Sequence, residues 1–361
     1  MACEAQSCGK PVCNTKCSIY QNPTPNYDAG KYCSLACSIR GSADAEDCRW
    51  MQRIANIMLT AFLEYSDAEN AYTITSESKF VDDWGNICLD IAIRGVYNPD
   101  TVSIIRSEHF SIDCRHAYLS FNHCISVLRD FAGMLAYLVE EFKTPVKIRE
   151  AHVQNVKSHQ NVEVVAKIVK YGFPDRTEIW NIASTHSMFL VTAADSDNTT
   201  TTTGFVARKG IYLDITARQY GREPGLQDFD AYHCKTSPLA CQLKECHVGN
   251  EYSKHENMVA QQSAEAIQTE ALIRTSNNAI YEVIKEFGGR TTLYSMGDLR
   301  FKDVLGRLSS RLQEALRPIL TENHKIFISE GSNALGRHMK LMDLCMGEGH
   351  QVFSRALQYQ S

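Results

Sequence analysis

Apolar side chains recur at helical spacing over residues 46–70, where Trp50, Ile54, Ile57, Met58, Ala61 and Phe62 fall on one stripe. Short runs of strand character follow at Tyr72–Thr75 and Ile87–Ile93. The strongest helical pattern in the middle of the chain covers 122–142, with Asn122 as its expected N-cap and Pro145 beyond its end. Strand-like stretches then succeed one another: Val146–His152, Val162–Tyr171, Ile179–Ala183, Ser187–Thr192 and Gly204–Thr216. Between the last two, Asp195, Ser196, Asp197 and Asn198 run into five threonines, which reads as a polar hairpin loop of low complexity. From about residue 255 the pattern turns helical again, over 256–286, 297–324 and 332–358, punctuated by Gly288-Gly289 and Glu330-Gly331-Ser332. The expected class is therefore α+β with a helical C-terminal region.

A chain of 361 residues suggests two or three domains at roughly 100–200 residues each. With 44% hydrophobic and 22% charged residues, it is neither disordered, collagenous nor a coiled-coil rod. Charges interrupt every apolar run well before the ~18 residues of a membrane span, and the first residues carry no signal-peptide pattern. A formal net charge of -5 excludes a generally basic coat, so DNA is not an expected partner. Cysteine changes the picture. Seven of the 14 lie within the first 48 residues. In a reducing, cytoplasmic setting such a cluster points to metal rather than disulfides.

Those cysteines are Cys3, Cys8, Cys13, Cys17, Cys33, Cys37 and Cys48, three short pairs and a single. Together with one further donor they make the eight ligands of two tetrahedral zinc ions. Tyr32-Cys33-Ser34-Leu35-Ala36-Cys37, followed by Asp44-Ala45-Glu46-Asp47-Cys48, resembles the MYND-type zinc finger. The first two pairs are wider here, and Asp44 stands where that family has histidine. The resemblance implies an interleaved arrangement, with Cys3, Cys8, Cys33 and Cys37 on one ion. Cys13, Cys17 and Cys48 would hold the other, completed by Asp44 or Asp47 or left with three sulfurs. Metal would supply folding energy to a segment with little core of its own. Its charges balance, so docking of a protein partner is a more natural role than DNA binding.

Three segments of the core carry candidate chemistry. Phe121-Asn122-His123-Cys124 opens the long helix, Thr185-His186-Ser187 opens a strand, and Tyr212-Leu213-Asp214-Ile215-Thr216 ends one. A thiol at a helix N-terminus feels the positive end of the dipole, a histidine can exchange its proton, and a carboxylate can orient the histidine. Adjacent antiparallel strands would set His186 beside Asp214. Cys114 is the rival nucleophile, and structural roles for all of these side chains compete with catalytic ones. Asn122 either assists an oxyanion or caps the helix; Gln219 and Tyr220 either face the site or shape the turn after Asp214; His123 either meets substrate or solvent. Cys234, Cys241, Cys246 and His247 form a looser metal set.

The order Cys124, His186, Asp214, with Pro145 opening the strand after the thiol helix, resembles the transglutaminase-like branch of the papain-type cysteine superfamily over residues 110–222. That implies a papain-like core, here placed at 51–250 between a zinc module at 1–50 and a helical region at 251–361. The length and layout of the whole chain also resemble the fungal arginine-containing cyclodipeptide synthases. That resemblance implies aminoacyl-tRNA substrates and a diketopiperazine product. Arg300, Arg307 and Arg311 lie on one side of a predicted helix in a region holding nine Lys/Arg against six Asp/Glu, a modest polyanion surface. The expectation is a cysteine-dependent acyltransferase acting on aminoacyl-tRNA or peptide, with about two structural zinc ions and no membrane. The rival readings are a generic transglutaminase-like transferase or hydrolase, and a non-enzymatic adaptor on a degenerate scaffold.

Overall fold

The computed structural model describes residues 45–69, 72–83, 87–95, 108–142, 145–154, 160–168, 176–181, 185–193, 211–228, 243–261, 264–330 and 334–360. The zinc-module residues Cys3, Cys8, Cys13, Cys17, Cys33, Cys37 and Asp44 lie outside them, as do Cys234 and Cys241 of the looser set. Cys48 belongs to the first described helix, α1 (Ala45–Glu69). Among the described residues no helix is long and apolar enough to cross a membrane.

The chain is α+β. After α1 come β1 (Tyr72–Val81), β2 (Ile87–Gly95), α2 (Ile112–Ser120) and α3 (Cys124–Val139). Then follow β3 (Val146–Gln154), β4 (Gln160–Ile168), β5 (Arg176–Asn181), β6 (Thr185–Ala193) and β7 (Ile211–Asp214). A short 3₁₀ helix (Ala217–Tyr220) precedes β8 (Gly225–Asp228) and β9 (Leu243–His247). The rest is helical: α4 (Asn250–Ala260), α5 (Ala264–Glu286), α6 (Gly289–Ser295), α7 (Asp298–Glu330), α8 (Ala334–Leu344) and α9 (Glu348–Gln360).

The strands form two sheets. One has the order β1-β2-β4-β5, antiparallel except for the parallel pair β2–β4. The other, β8-β7-β6-β3-β9, is antiparallel throughout. Several elements differ from the sequence expectation. The helix expected over 122–142 starts at Cys124, and a separate α2 precedes it. The expected helices 256–286 and 332–358 are each broken in two. The strand expected to reach Thr216 stops at Asp214, because Thr216 turns back to bond the Asp214 carboxylate.

The expected stripe of α1 is fully used: Trp50, Ile54, Ile57, Met58, Ala61 and Phe62 are all buried. Met51, Ala55, Leu63 and Tyr65 are buried too, so this helix is enclosed on most of its circumference by α2, α3, β8, α5 and α7. The Trp50 indole donates to the Leu138 carbonyl at 3.0 Å, tying α1 to α3. Helix α3 is just as central, and it meets the last helix at a point where no side chain fits. A Cβ on Gly133 would lie 2.9 Å from the Phe353 carbonyl oxygen. One continuous cluster of buried apolar side chains runs from Trp50 to Ala356, joining the sheets to the C-terminal helices.

A buried cation fastens this junction. Arg53, only 3% exposed, donates to the carbonyls of Leu293, Tyr294 and Met296 at 2.7, 3.1 and 2.6 Å and to Asp298 at 2.8 Å. Its guanidinium also lies 5.0 Å from the Phe301 ring centroid. Planar donors at the C-terminal end of α6 satisfy carbonyls that the helix leaves unpaired and complement its dipole. Arg53→Met is therefore expected to cost about 2–4 kcal/mol in urea unfolding, since it strands several buried acceptors at once. Asp298→Ala removes a partner whose side chain is 88% exposed and should cost under about 1 kcal/mol. Equal losses in the two variants would show that the ion pair, and not the carbonyl contacts, holds the junction.

Candidate active site

The site begins with strand register. In the β6–β7 pair Leu190 stands opposite Tyr212 and Phe189 opposite Leu213. Strand alternation then puts His186, Met188 and Leu190 on the same face as Tyr212 and Asp214. His186 Nε2 lies 2.7 Å from Asp214 Oδ2, and neither side chain is exposed at all. The second carboxylate oxygen, Oδ1, accepts from the Thr216 backbone N–H at 3.0 Å and from its hydroxyl at 3.4 Å. The imidazole is also held from its side by Tyr220, whose ring centroid is 4.5 Å away at an interplanar angle of 60°.

Cys124 is the first residue of α3 and is 4% exposed. Its thiol acts electrostatically on His186 and adds to the pull on the imidazole's proton. Asp214 occupies Nε2, so Nδ1 is the ring nitrogen through which the imidazole would exchange a proton. The three side chains that the sequence set in order are thus neighbours. Burial alone would lower the affinity of His186 for its proton. The Asp214 charge and hydrogen bond outweigh it, aided by Cys124, and raise the imidazole from 6.5 to about 9. An imidazolium beside a sulfur is the arrangement in which a thiolate nucleophile is made. Tyr220 is pushed upward by burial and by the charges of Cys124 and Asp214, so its phenol stays protonated.

Cys114 is differently placed. It sits in α2 rather than on the thiol helix, and it is buried. Burial, with the hydrogen bond and charge of Glu77, pushes its thiol far up, which keeps it protonated and unreactive.

Asn122 does not cap the helix. His123 holds the N-cap position without a side-chain bond, while Asn122 takes the left-handed φ of 58°. The link between α2 and α3 must reverse within three residues, and Asn is one of the few L-residues that accept that conformation. The Asn122 N–H donates to Gln219 Oε1 at 2.9 Å. Gln219 is completely buried and so belongs to the wall of the site rather than to an open surface. The His123 ring packs edge-on against Phe62, and burial with the charge of Arg129 lowers its pKa to about 4, leaving it neutral.

Arg307 and Arg311 lie on the exposed side of α7, paired with Glu286 at 3.3 Å and Glu314 at 3.7 Å. The structure puts them on the helical region and not beside Cys124. The Thr216 clamp on Asp214 escaped the sequence reading; a Thr two residues after an Asp at a strand end is the local signal for such a turn. Among the described residues, Glu150, His152 and Glu251 form a group of ligand type. Glu150 already accepts from the Gly249 N–H at 2.7 Å and the Glu251 N–H at 3.2 Å, which caps the start of α4.

Searches of protein-family models, curated proteins and solved structures find no match to this chain.

The raised imidazole has a thermodynamic consequence. Its proton is held to about pH 9 in the folded chain but only to about 6.5 when unfolded. The stability it contributes is therefore complete below pH 6.5 and lost as pH rises through 9. The urea midpoint should fall across this window in the wild type and fall much less in Asp214→Asn, where the charge that holds the proton is gone. Identical pH dependence in the two proteins would contradict the pairing.

Proposed function

We propose that this chain is a thiol-dependent acyltransferase with Cys124 as nucleophile, His186 as general acid and base, and Asp214 as the group that orients His186. The observation that carries the reading is the fully buried His186–Asp214 pair at 2.7 Å, with Cys124 at the start of its helix contributing to the raised proton affinity of the same imidazole. A disrupted set would have favoured the adaptor reading.

The sulfur attacks the acyl carbon and the carbonyl electrons move onto oxygen. When that intermediate collapses, the bond to the leaving group breaks and His186 protonates the departing atom. The thioester is resolved in the reverse sense: His186 takes a proton from the incoming nucleophile, the C–S bond breaks, and its electron pair returns to sulfur. An incoming amine makes an amide; water makes an acid.

The specific form we carry from the sequence is a tRNA-dependent, arginine-containing cyclodipeptide synthase. An aminoacyl ester acylates Cys124 and releases the tRNA 3′-hydroxyl. The amine of a second aminoacyl ester attacks the thioester, and the dipeptidyl ester closes as its free amine expels the second tRNA. The exposed Arg300, Arg307 and Arg311 support a polyanionic substrate, although Arg307 and Arg311 share their charge with glutamates. If tRNA is bound, affinity should fall steeply with salt, and fall further when Arg307 and Arg311 are both replaced by Gln.

The test is an acyl-enzyme trapped by intact mass spectrometry with arginyl-tRNA, other aminoacyl-tRNAs and peptides. Cys124→Ala should form no adduct and Cys114→Ala should form it normally. His186→Ala should cost more than the ~10²–10⁴-fold typical of a general acid–base, because the sulfur also loses its counter-ion. The reverse pattern for the two cysteines would overturn the assignment. Product formed from free amino acids and ATP, indifferent to ribonuclease, would discard the tRNA form.

We also propose that the N-terminal cysteines and Asp44 hold two zinc ions, on the strength of the donor set alone. Elemental analysis of chelator-free protein should find about two per chain. One ion would mean that Asp44 completes no second site, and none would remove the zinc module.

A further inference from the structure

The sheet that carries His186 has a second polar group on its other face. In the β3–β6 pair Val153 stands opposite His186 and His152 opposite Ser187. Glu150, His152 and Ser187 therefore share the face that points away from His186. The start of α4 comes down on that face, where the N–H groups of Gly249 and Glu251 donate to Glu150. The Glu251 side chain completes the group: Glu150, His152 and Glu251 each place a ligand atom within 4.8 Å of the other two.

His152 is set as a ligand is set. Its Nδ1 lies 2.8 Å from Ser187 Oγ, which fixes the ring. Its Nε2 makes no hydrogen bond among the described residues and faces Glu251 Oε1 across 4.0 Å. An imidazole steadied through one nitrogen, with the other turned toward carboxylates, is how histidine is presented to a metal ion. Glu150 is not exposed at all, and the side chains of His152 and Glu251 are only 15% and 11% exposed. Two carboxylates so close in so dry a place repel one another unless a positive charge answers them. Lys254 supplies one, 2.5 Å from Glu251 Oε1, but its side chain is 62% exposed and flexible, so it can swing out to water. Carboxylate oxygens that accept from an N–H keep further lone pairs for a cation.

We propose that Glu150, His152 and Glu251 bind one divalent transition ion of the manganese–zinc class. The imidazole disfavours calcium and magnesium, which take oxygen ligands, and none of the three is a thiol, which sets the group apart from the N-terminal cysteines. Ligand atoms about 2.1 Å from such an ion stand about 3.0–3.4 Å apart, so the His152–Glu251 gap closes by an ångström or less on binding. The ion pins the start of α4 to β3. It also bears on β6 through Ser187, the residue next to His186. The proposal does not depend on the acyl-transfer reading.

The test uses the full chain and Mn²⁺, which carboxylates bind well and thiolates poorly. After equilibrium dialysis the metal is counted by elemental analysis in wild type, His152→Gln, Glu251→Gln and Lys254→Met, each shown to be folded by circular dichroism. Wild type should hold about one Mn²⁺ per chain, displaced by excess Zn²⁺ but not by excess Ca²⁺. Affinity should fall by at least about tenfold in His152→Gln and Glu251→Gln. It should rise in Lys254→Met, where the rival cation is gone. Lys254 is exposed, so this variant keeps the test alive even where another fails to fold. Zinc retained at the site through purification would appear as one more zinc in wild type than in His152→Gln, and supports the proposal equally. A wild-type chain that holds neither ion overturns it. Equal affinity in all four proteins does so too, since the ion then sits elsewhere. Ready displacement by Ca²⁺ also counts against it, because the imidazole is then no ligand.

Discussion

Keeping an imidazole and a carboxylate where no water reaches either is the constraint around which the core is built. Each group taken alone would be expensive to bury, and together they are tolerable because they are paired and hydrogen-bonded to each other. Asp214 spends one oxygen on His186 and the other on Thr216, and Cys124 adds its charge to the hold on the imidazole's proton. This requires β6 and β7 to pair in one register. A slip of a single residue would carry Asp214 to the opposite face, among Phe189, Val191 and Leu213, with no counter-charge. The flanking apolar residues on its own face, Ala151, Val153, Met188, Leu190 and Tyr212, form a separate small cluster that keeps the surroundings dry. That dryness makes the electrostatics strong enough to raise the imidazole.

The same chain shows how environment sorts identical side chains. Cys114 and Cys124 are both buried, ten residues apart. Cys114 faces the acidic Glu77 and is driven toward the neutral thiol, whereas Cys124 faces an imidazole that favours its own charged form. His123 and His186 separate in the same way. One is half-buried near Arg129 and stays neutral; the other is fully buried against a carboxylate and holds its proton.

Much of this was legible from residue order. The stripe on α1 announced a core helix, and the succession of a thiol at a helix start, a histidine at a strand start and an aspartate at a strand end singled out the residues that meet. What was not legible has physical causes. Helix α2 has no clean apolar stripe, since Ile112 is exposed while Cys114, Ala117, Leu119 and Ser120 are all buried. Strands β8 and β9 have four and five residues and exist because a neighbour offers them an edge. The end of α4 at Ala260 follows no glycine or proline. The placing of Gln219 depends on a bond to Asn122, 97 positions earlier, and on a left-handed turn that no periodicity announces.

The close approach of Gly133 to Phe353 carries a further consequence, for the order of events during synthesis. Helix α3 presents Cys124 at one end and is sealed along its length by a helix made much later: Phe353 is polymerised 220 residues after Gly133. A nascent chain that already displays the thiol, the histidine and the aspartate still lacks the surface that holds the thiol helix down. Until α9 arrives, the apolar flank around Gly133 is open to other proteins and to chaperones. The helix that begins with Cys124 is thus packed on this side only once residues around Phe353 have been made.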